Sequence, residues 1–344
     1  MDFSGKSGRI SVVMCTHNPD EQTFSESLEH VGKLRWPDGG HAEIVIVDNC
    51  SNPPLDQCDH LRAWLLKTPG ARIVWEPKLG LSHARARAFR EASGEVIVCF
   101  DDDNAPDADY LEQAWKASID YPWVGVWGPG QISIDWAEGS HPEVVRRYAG
   151  EFQQHRQTHV SYGLDFPATD TMPYGTGMVL RRAVALIYAA QVEAAILKTT
   201  GRIGNQLASA EDNQIDWLAM LNGWAIGRHP ALKLMHMITA DRAQPAYVAR
   251  LAYGKAKSYH PALREILPDF FTAKMPRSGK IMFRLLGKTL SWIFASGRHS
   301  LAYQLARTLG FAVGTWAAYG QTPPRWVQRL VKSLYADKSG DTQY

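Results

Sequence analysis

Cysteine is scarce in this chain. Four occur among 344 residues, Cys15, Cys50, Cys58 and Cys99, and no two share a C-x-x-C spacing. That excludes a disulfide-stapled scaffold and a cysteine-built zinc site, and the four read as reduced thiols. Apolar runs long enough to cross a bilayer are also lacking. The stretch 280–295 is too short and carries Arg284 and Lys288, and 300–319 reaches the length only with Arg307 inside it. The first nine residues are polar and have no apolar secretion-signal core, so a cytoplasmic location is expected. No internal repeat and no low-complexity tract is visible. What remains is an ordinary globular composition, 45% hydrophobic and 21% charged, long enough for one large or two modest domains.

The formal net charge of +2 conceals a division. Residues 240–344 hold 16 Lys and Arg against 5 Asp and Glu, a net +11, whereas 1–239 hold 21 against 30, a net −9. The boundary at 239/240 therefore predicts two regions with different partners. A basic, helical 240–344 suits the anionic inner face of a membrane, where each nearby Lys or Arg contributes about 1 kcal/mol. Trp292, Trp316 and Trp326 among basic residues suit the headgroup layer. A helical subdomain packed on the acidic region is the competing explanation. Nucleic acid is not expected as a partner, because no recognition motif accompanies the charge.

Up to about residue 130, short β-rich runs alternate with amphipathic segments, the pattern of a βαβ series and a mostly parallel sheet. Strands are predicted at 10–15, 43–48, 71–76 and 95–100, and helices at 21–34, 57–67, 79–92 and 107–120. After residues 123–130, rich in Trp and Gly, the pattern becomes less regular and reads as variable surface up to about 170. A turn over 174–178 then feeds a short strand and a helix over 183–197, and a further helix is expected over 213–221 behind Glu211-Asp212. Beyond 239 the pattern is helical throughout.

Asp101-Asp102-Asp103 directly follows the apolar run 95–100. Three carboxylates at the carboxyl end of a buried strand need compensation, and a divalent cation holding a phosphate supplies it. The plainer reading is an acidic turn before a helix starting near Asn104-Ala105-Pro106-Asp107. In an open parallel sheet ligands bind beyond the carboxyl ends of strands, so Thr16-His17-Asn18, Asp48-Asn49 and the acidic triplet should line one crevice.

Taken in order, 11–18, 44–51, Gly80-Leu81-Ser82-His83-Ala84-Arg85 and Phe100-Asp101-Asp102-Asp103 resemble family 2 glycosyltransferases. The resemblance covers about 9–240. It implies a GT-A fold, Rossmann-like and flanked by helices, with 240–344 as an all-helical extension. It further implies a nucleotide-sugar donor, inversion at the anomeric carbon, and assistance by Mn²⁺ or Mg²⁺. By the same resemblance Thr16 and Asn18 line the nucleotide pocket, and Asp48 accepts a hydrogen bond from the base, commonly uracil. Arg85 lies near the diphosphate, although Ala86 departs from the family's frequent Asn. Asp103 and Asp101 align with the metal-binding motif, with Asp101 or Asp102 nearer the ribose and diphosphate. His236, 24 residues after Asp212, is a candidate third ligand, against the reading of a core histidine on an apolar strand.

The resemblance also implies that Asp212 is the general base and that Glu211 orients it or the acceptor. The plainer role of both is to stabilise a helix amino end. Gly175-Thr176-Gly177 is expected to let backbone approach the donor sugar, with Gly177 the closest, or to be an ordinary tight turn. Trp217 and Trp224 are candidates for stacking on an acceptor sugar, against core packing. The acceptor is expected to be a glycan or a lipid-linked saccharide. The rival class is a non-catalytic subunit that binds sugar-nucleotide or glycan. Retention of Asp101, Asp103, Glu211 and Asp212 favours the enzyme.

Overall fold

The computed structural model describes residues 10–37, 42–166, 170–199, 201, 207–271 and 298–335. The chain divides into two compact units. One comprises 1–137, 152–200 and 211–238, and the other comprises 138–151, 201–210 and 239–344.

The first unit is built on one sheet. β1 (Ile10–Thr16), β2 (Ile44–Asp48), β3 (Ala71–Trp75) and β4 (Val96–Phe100) pair in parallel in the order β3-β2-β1-β4. Helices α1 (Glu21–Gly32), α2 (Asp59–Lys67) and α3 (Leu81–Glu91) connect these strands. The boundaries fall within about two residues of those read from the apolar periodicity. Asp20 caps α1, its carboxylate accepting from the Thr23 amide at 3.0 Å. Val12, Met14, Ile44, Ile46, Val98 and Phe100 share a buried cluster with Phe24, Leu28 and Val31 of α1. Each such fully buried apolar side chain contributes about 1.5–3 kcal/mol.

Past β4 the sheet becomes mixed. The short β5 (Asn104–Pro106) leads into α4 (Tyr110–Asp120), and β6 (Val124–Trp136) runs through the Trp- and Gly-rich stretch. β7 (His155–Arg156) and β8 (Ser161–Gly163) are short. β9 (Val179–Arg181) lies antiparallel between β4 and β6, followed by α6 (Arg182–Glu193) and α7 (Glu211–Leu221). β10 (Ala225–Ile238) pairs parallel with β6 and antiparallel with β5 and β8, and β7 joins β6.

Two expectations are corrected here. Residues 131–136, expected as irregular surface, continue the strand β6, whose first seven residues, 124–130, are buried. Their glycines mark close approach: a Cβ on Gly125 would lie 2.6 Å from the Trp224 Cβ, and one on Gly130 would lie 2.7 Å from Pro230 Cα. Asn104–Pro106 is not a helix start. It is a strand paired with Leu234–His236, its proline tolerated because β5 is the sheet's edge.

The second unit contains the short helix α5 (Pro142–Arg147), α8 (Pro245–Ile266) and the helices Arg298–Ala318 and Arg325–Tyr335. Gly310 and Gly314 seat directly against the Tyr253 and Lys257 carbonyls of α8. Glu151 holds the Tyr303 hydroxyl and lies 3.4 Å from Lys255 Nζ. Trp316 is 3% exposed in a core with Tyr253, Leu309 and Val327, so it does not reach a headgroup layer, whereas Trp326 is 41% exposed. The predicted helix over 280–295, with Trp292, lies outside the described residues. Among those described, no helix is long and apolar enough to cross a membrane.

Candidate active site

The carboxyl ends of β1, β2 and β3 form one polar crest. Thr16, Asp48 and Trp75 are register partners, so their side chains share a face of the sheet. The Thr16 hydroxyl donates to the Asp102 carboxylate, tying β1 to the acidic triplet. Asp48 is 3% exposed, and its oxygens accept the amides of Ser51 and Leu55, each at 2.9 Å. A carboxylate has about four acceptor sites, so Asp48 shapes this loop and keeps capacity for a ligand. Asn18 adopts a left-handed backbone (φ 49°) and accepts the Asn52 amide at 2.7 Å. The Asn49 side chain donates to the Glu76 and Lys78 carbonyls and accepts the Gly80 amide at 2.8 Å. Asn49 was expected at this crest from its place beside Asp48, but its ties to the 76–80 loop were not readable from the sequence.

β5 turns the acidic triplet toward β10. The register pairs Asn104 with His236, the Asn104 side chain donates to Asp103 at 2.9 Å, and Asp103 Oδ2 lies 3.1 Å from His236 Nε2. His236 Nδ1 is 3.0 Å from the Phe152 carbonyl, which only accepts, so Nδ1 carries a proton. Nε2 and the Asp103 carboxylate are then two acceptors in contact unless a proton or a cation lies between them. Asp101 faces the other way, accepting from the Thr176 hydroxyl at 2.8 Å and lying 3.8 Å from Arg85. Among the described residues, no three His, Cys, Asp or Glu side chains are grouped to hold a metal. The Asp103–His236 pair nevertheless suits Mn²⁺ or Mg²⁺ if substrate phosphate and water complete the coordination.

α7 brings Glu211 and Asp212 to the same place. Arg85, on α3 and 4% exposed, lies 3.6 Å from Glu211 and so stands between the start of α7 and the end of β4. Burial opposes its charge, but Glu211 and Asp101, with Cys99 and Asp212 adding, raise the guanidinium above its ordinary range. Burial likewise pushes the Cys99 thiol up to about 12, against the pull of Arg85. Asp212 accepts the Asn213 amide at 2.9 Å and the Gly175 amide at 3.4 Å.

Residues 172–177 cross this centre as a strap fixed at successive positions. Arg228 donates to the Met172 carbonyl at 2.6 and 3.0 Å and lies over the Tyr174 ring. Thr176 binds Asp101, and the Tyr110 hydroxyl donates to the Gly177 carbonyl at 2.6 Å. Gly177 (φ 68°) is crowded by Leu234, Tyr110 and Pro129, so packing alone demands glycine there. Trp217 is fully buried. Trp224 directly precedes β10 at its amino end, packed at Gly125 with Arg181 over its ring, so it is not brought together with the carboxylates at the other end of that strand. Sequence reasoning also passed over Asp216. It is fully buried one turn after Asp212, and neither oxygen has a hydrogen-bond partner among the described residues.

The profile of glycosyl transferase family 2 matches residues 11–185, just over half of the chain. The chain belongs to this family. No curated protein matches it. The crystal structure of S. aureus TarS superposes with a TM-score of 0.50 at 18% identity, covering 94% of this chain and 50% of TarS. The chain thus spans about half the length of that relative. S. aureus TarS 1-349 in complex with UDP-GlcNAc gives 0.50 at 17%, covering 91% and 92%. The mannosyltransferase PcManGT from Pyrobaculum calidifontis, in complex with GDP-Man and Mn²⁺, gives 0.49 at 18%, covering 96% and 81%. At these identities the likeness is one of fold, and this glycosyl transferase family 2 chain has the GT-A architecture: a curled mixed sheet with flanking helices and a helical C-terminal region.

Proposed function

We propose that the protein is an inverting glycosyltransferase that moves a sugar from a nucleotide-sugar, UDP-linked in the first instance, to a hydroxyl of a glycan or lipid-linked acceptor in polysaccharide or cell-envelope glycan synthesis. The observation that carries this reading is the gathering of Asp101, Glu211 and Asp212 around Arg85, with Asp103, two residues from Asp101 in the same acidic triplet, paired to His236 of β10. Family membership supports sugar transfer, and the TarS complex with UDP-GlcNAc supports testing UDP-sugars first.

In this reading Thr16, Asn18 and Asp48 receive the nucleoside, and Asp101 and Asp102 face the ribose and diphosphate. Arg85 acts on the diphosphate through its field, since it is buried between its own acidic partners. Asp103, Asp101 and His236 would hold Mn²⁺ or Mg²⁺, which when bound neutralises the charge growing on the leaving diphosphate. Asp212 removes the acceptor hydroxyl proton, the oxygen attacks the anomeric carbon, and the diphosphate departs from the opposite face. Glu211, paired with Arg85, keeps the start of α7 in place for this step. The basic region 240–344 docks on an anionic membrane surface, supported by exposed Trp326 and Leu330 beside exposed Arg325 and Arg329.

The test is donor hydrolysis and transfer across a panel of UDP-, GDP- and dTDP-sugars with and without Mn²⁺. Asp212→Asn is expected to lower turnover about 10²–10⁴-fold with the fold intact, and Asp103→Asn to abolish Mn²⁺ stimulation. Binding of donor with no turnover in the unaltered protein would favour the non-catalytic subunit.

A further inference from the structure

We infer that Gly175 is a positioning residue: its missing side chain leaves the space in which the Arg85 guanidinium bridges Asp101 and Glu211, and its amide steadies Asp212. The inference rests on the proposed transferase reading and adds a residue to it. A Cβ built on Gly175 would lie 2.6 Å from Arg85 Nη2, 3.1 Å from Nη1 and 3.3 Å from Cζ. No other atoms stand among its three nearest, so what this glycine accommodates is the guanidinium. Gly175 has no left-handed backbone to explain it, in contrast to Gly177.

The guanidinium is the far end of a long side chain, and a methyl group at position 175 would displace it rather than unfold the strap. It has nowhere equivalent to go. Arg85 is 4% exposed, with Asp101 at 3.8 Å on one side and Glu211 at 3.6 Å on the other, so withdrawal lengthens one ion pair or both. Residue 175 is held from the other direction by Tyr174 over Arg228 and Thr176 on Asp101, which prevents the strap from lifting. The displacement would therefore be felt at Glu211 and Asp212. A 1 Å misplacement of a reacting group costs on the order of 100-fold in rate.

The experiment is a double-mutant cycle of Gly175→Ala and Arg85→Lys, read with the sugar-nucleotide that the unaltered protein hydrolyses fastest. Gly175→Ala is expected to lower kcat at least 10-fold, with donor KM within about 2-fold and the thermal midpoint within a few degrees. Lysine has no fork to collide with the new methyl group, so the double variant should stay within about 3-fold of Arg85→Lys alone. Independent, multiplying losses would overturn the inference, as would a raised donor KM at unchanged kcat, which would assign Gly175 to donor approach. Failure of Gly175→Ala to fold would also overturn it, because the geometry requires the guanidinium to yield first. Asp212→Asn serves as the control. If that variant keeps near-normal turnover, the transferase reading itself fails; if it is inactive while Gly175→Ala is unimpaired, only the present inference fails.

Discussion

Residue by residue, the site is an exercise in compensating buried charge. Arg85 offsets Asp101 and Glu211, whereas among the described residues Asp216 has no hydrogen-bond partner and feels Arg228 and Arg85 only as weaker opposing charges. Burial, reinforced by the Asp212 charge, holds the Asp216 carboxyl well above the usual carboxylate range. Its sign fixes a pH dependence. The folded state retains a proton that the unfolded chain releases above its ordinary carboxylate pKa, so stability falls as pH rises from there toward the folded pKa. Asp216→Asn, uncharged at every pH, should therefore be more stable than the unaltered protein at pH 7, with the gain vanishing near pH 4. The slope is at most about 1.4 kcal/mol per pH unit. Urea unfolding between pH 4 and 7.5 measures it, and an asparagine variant less stable at pH 7 would mean that Asp216 is ionised and paired. Asp101, Asp103, Glu211 and Asp212 were legible as candidates before any fold was known, because acidic residues at a strand end and at a helix start need a reason. Asp216 was not legible, and Gly175 was read only as part of a tight turn, since its place against Arg85 depends on neighbours distant in sequence.

At the scale of elements, the first four strands and their helices were readable because the strands are short apolar runs, three of them buried on both faces, and the helices between them carry apolar stripes. β6 and β10 were harder. Their glycines and prolines signal loops in isolation, and only neighbouring backbones and rings explain them. The helix pair in the second unit shows the same logic. Gly310 and Gly314 lie one turn apart and let the Arg298–Ala318 helix approach the α8 carbonyls, so side chains there meet backbone that cannot yield. Gly314→Val is expected to destabilise the protein by about 1–3 kcal/mol or more, measurable as a lowered thermal midpoint. An unchanged midpoint would show that the two helices have room to part.

For the molecule as a whole, ligand linkage gives the most direct test of the donor and cation proposals. UDP with Mn²⁺ at a hundred times its Kd should stabilise the fold by about 2.7 kcal/mol. EDTA should remove most of this shift, and a UDP shift indifferent to EDTA would count against a bound cation. The charge division yields a second test. The full chain should float with vesicles containing anionic lipid at low salt and be released at high salt, since screening shortens the reach of its basic residues. Trp326→Glu together with Leu330→Glu should weaken flotation; binding unaffected by both salt and these substitutions would remove the membrane proposal.

Local periodicity and strand-end chemistry, both written in neighbouring residues, were enough to determine the α/β class, the parallel half of the sheet and the acidic groups bearing the proposed reaction. Tertiary structure alone decided that β5 carries Asp103 onto His236, that Trp224 belongs to the far end of β10, and that a strap of backbone crosses Arg85. The physical reason is range. An apolar period is satisfied by any core it meets, whereas a contact between residues a hundred positions apart exists only once the sheet order has brought their strands together.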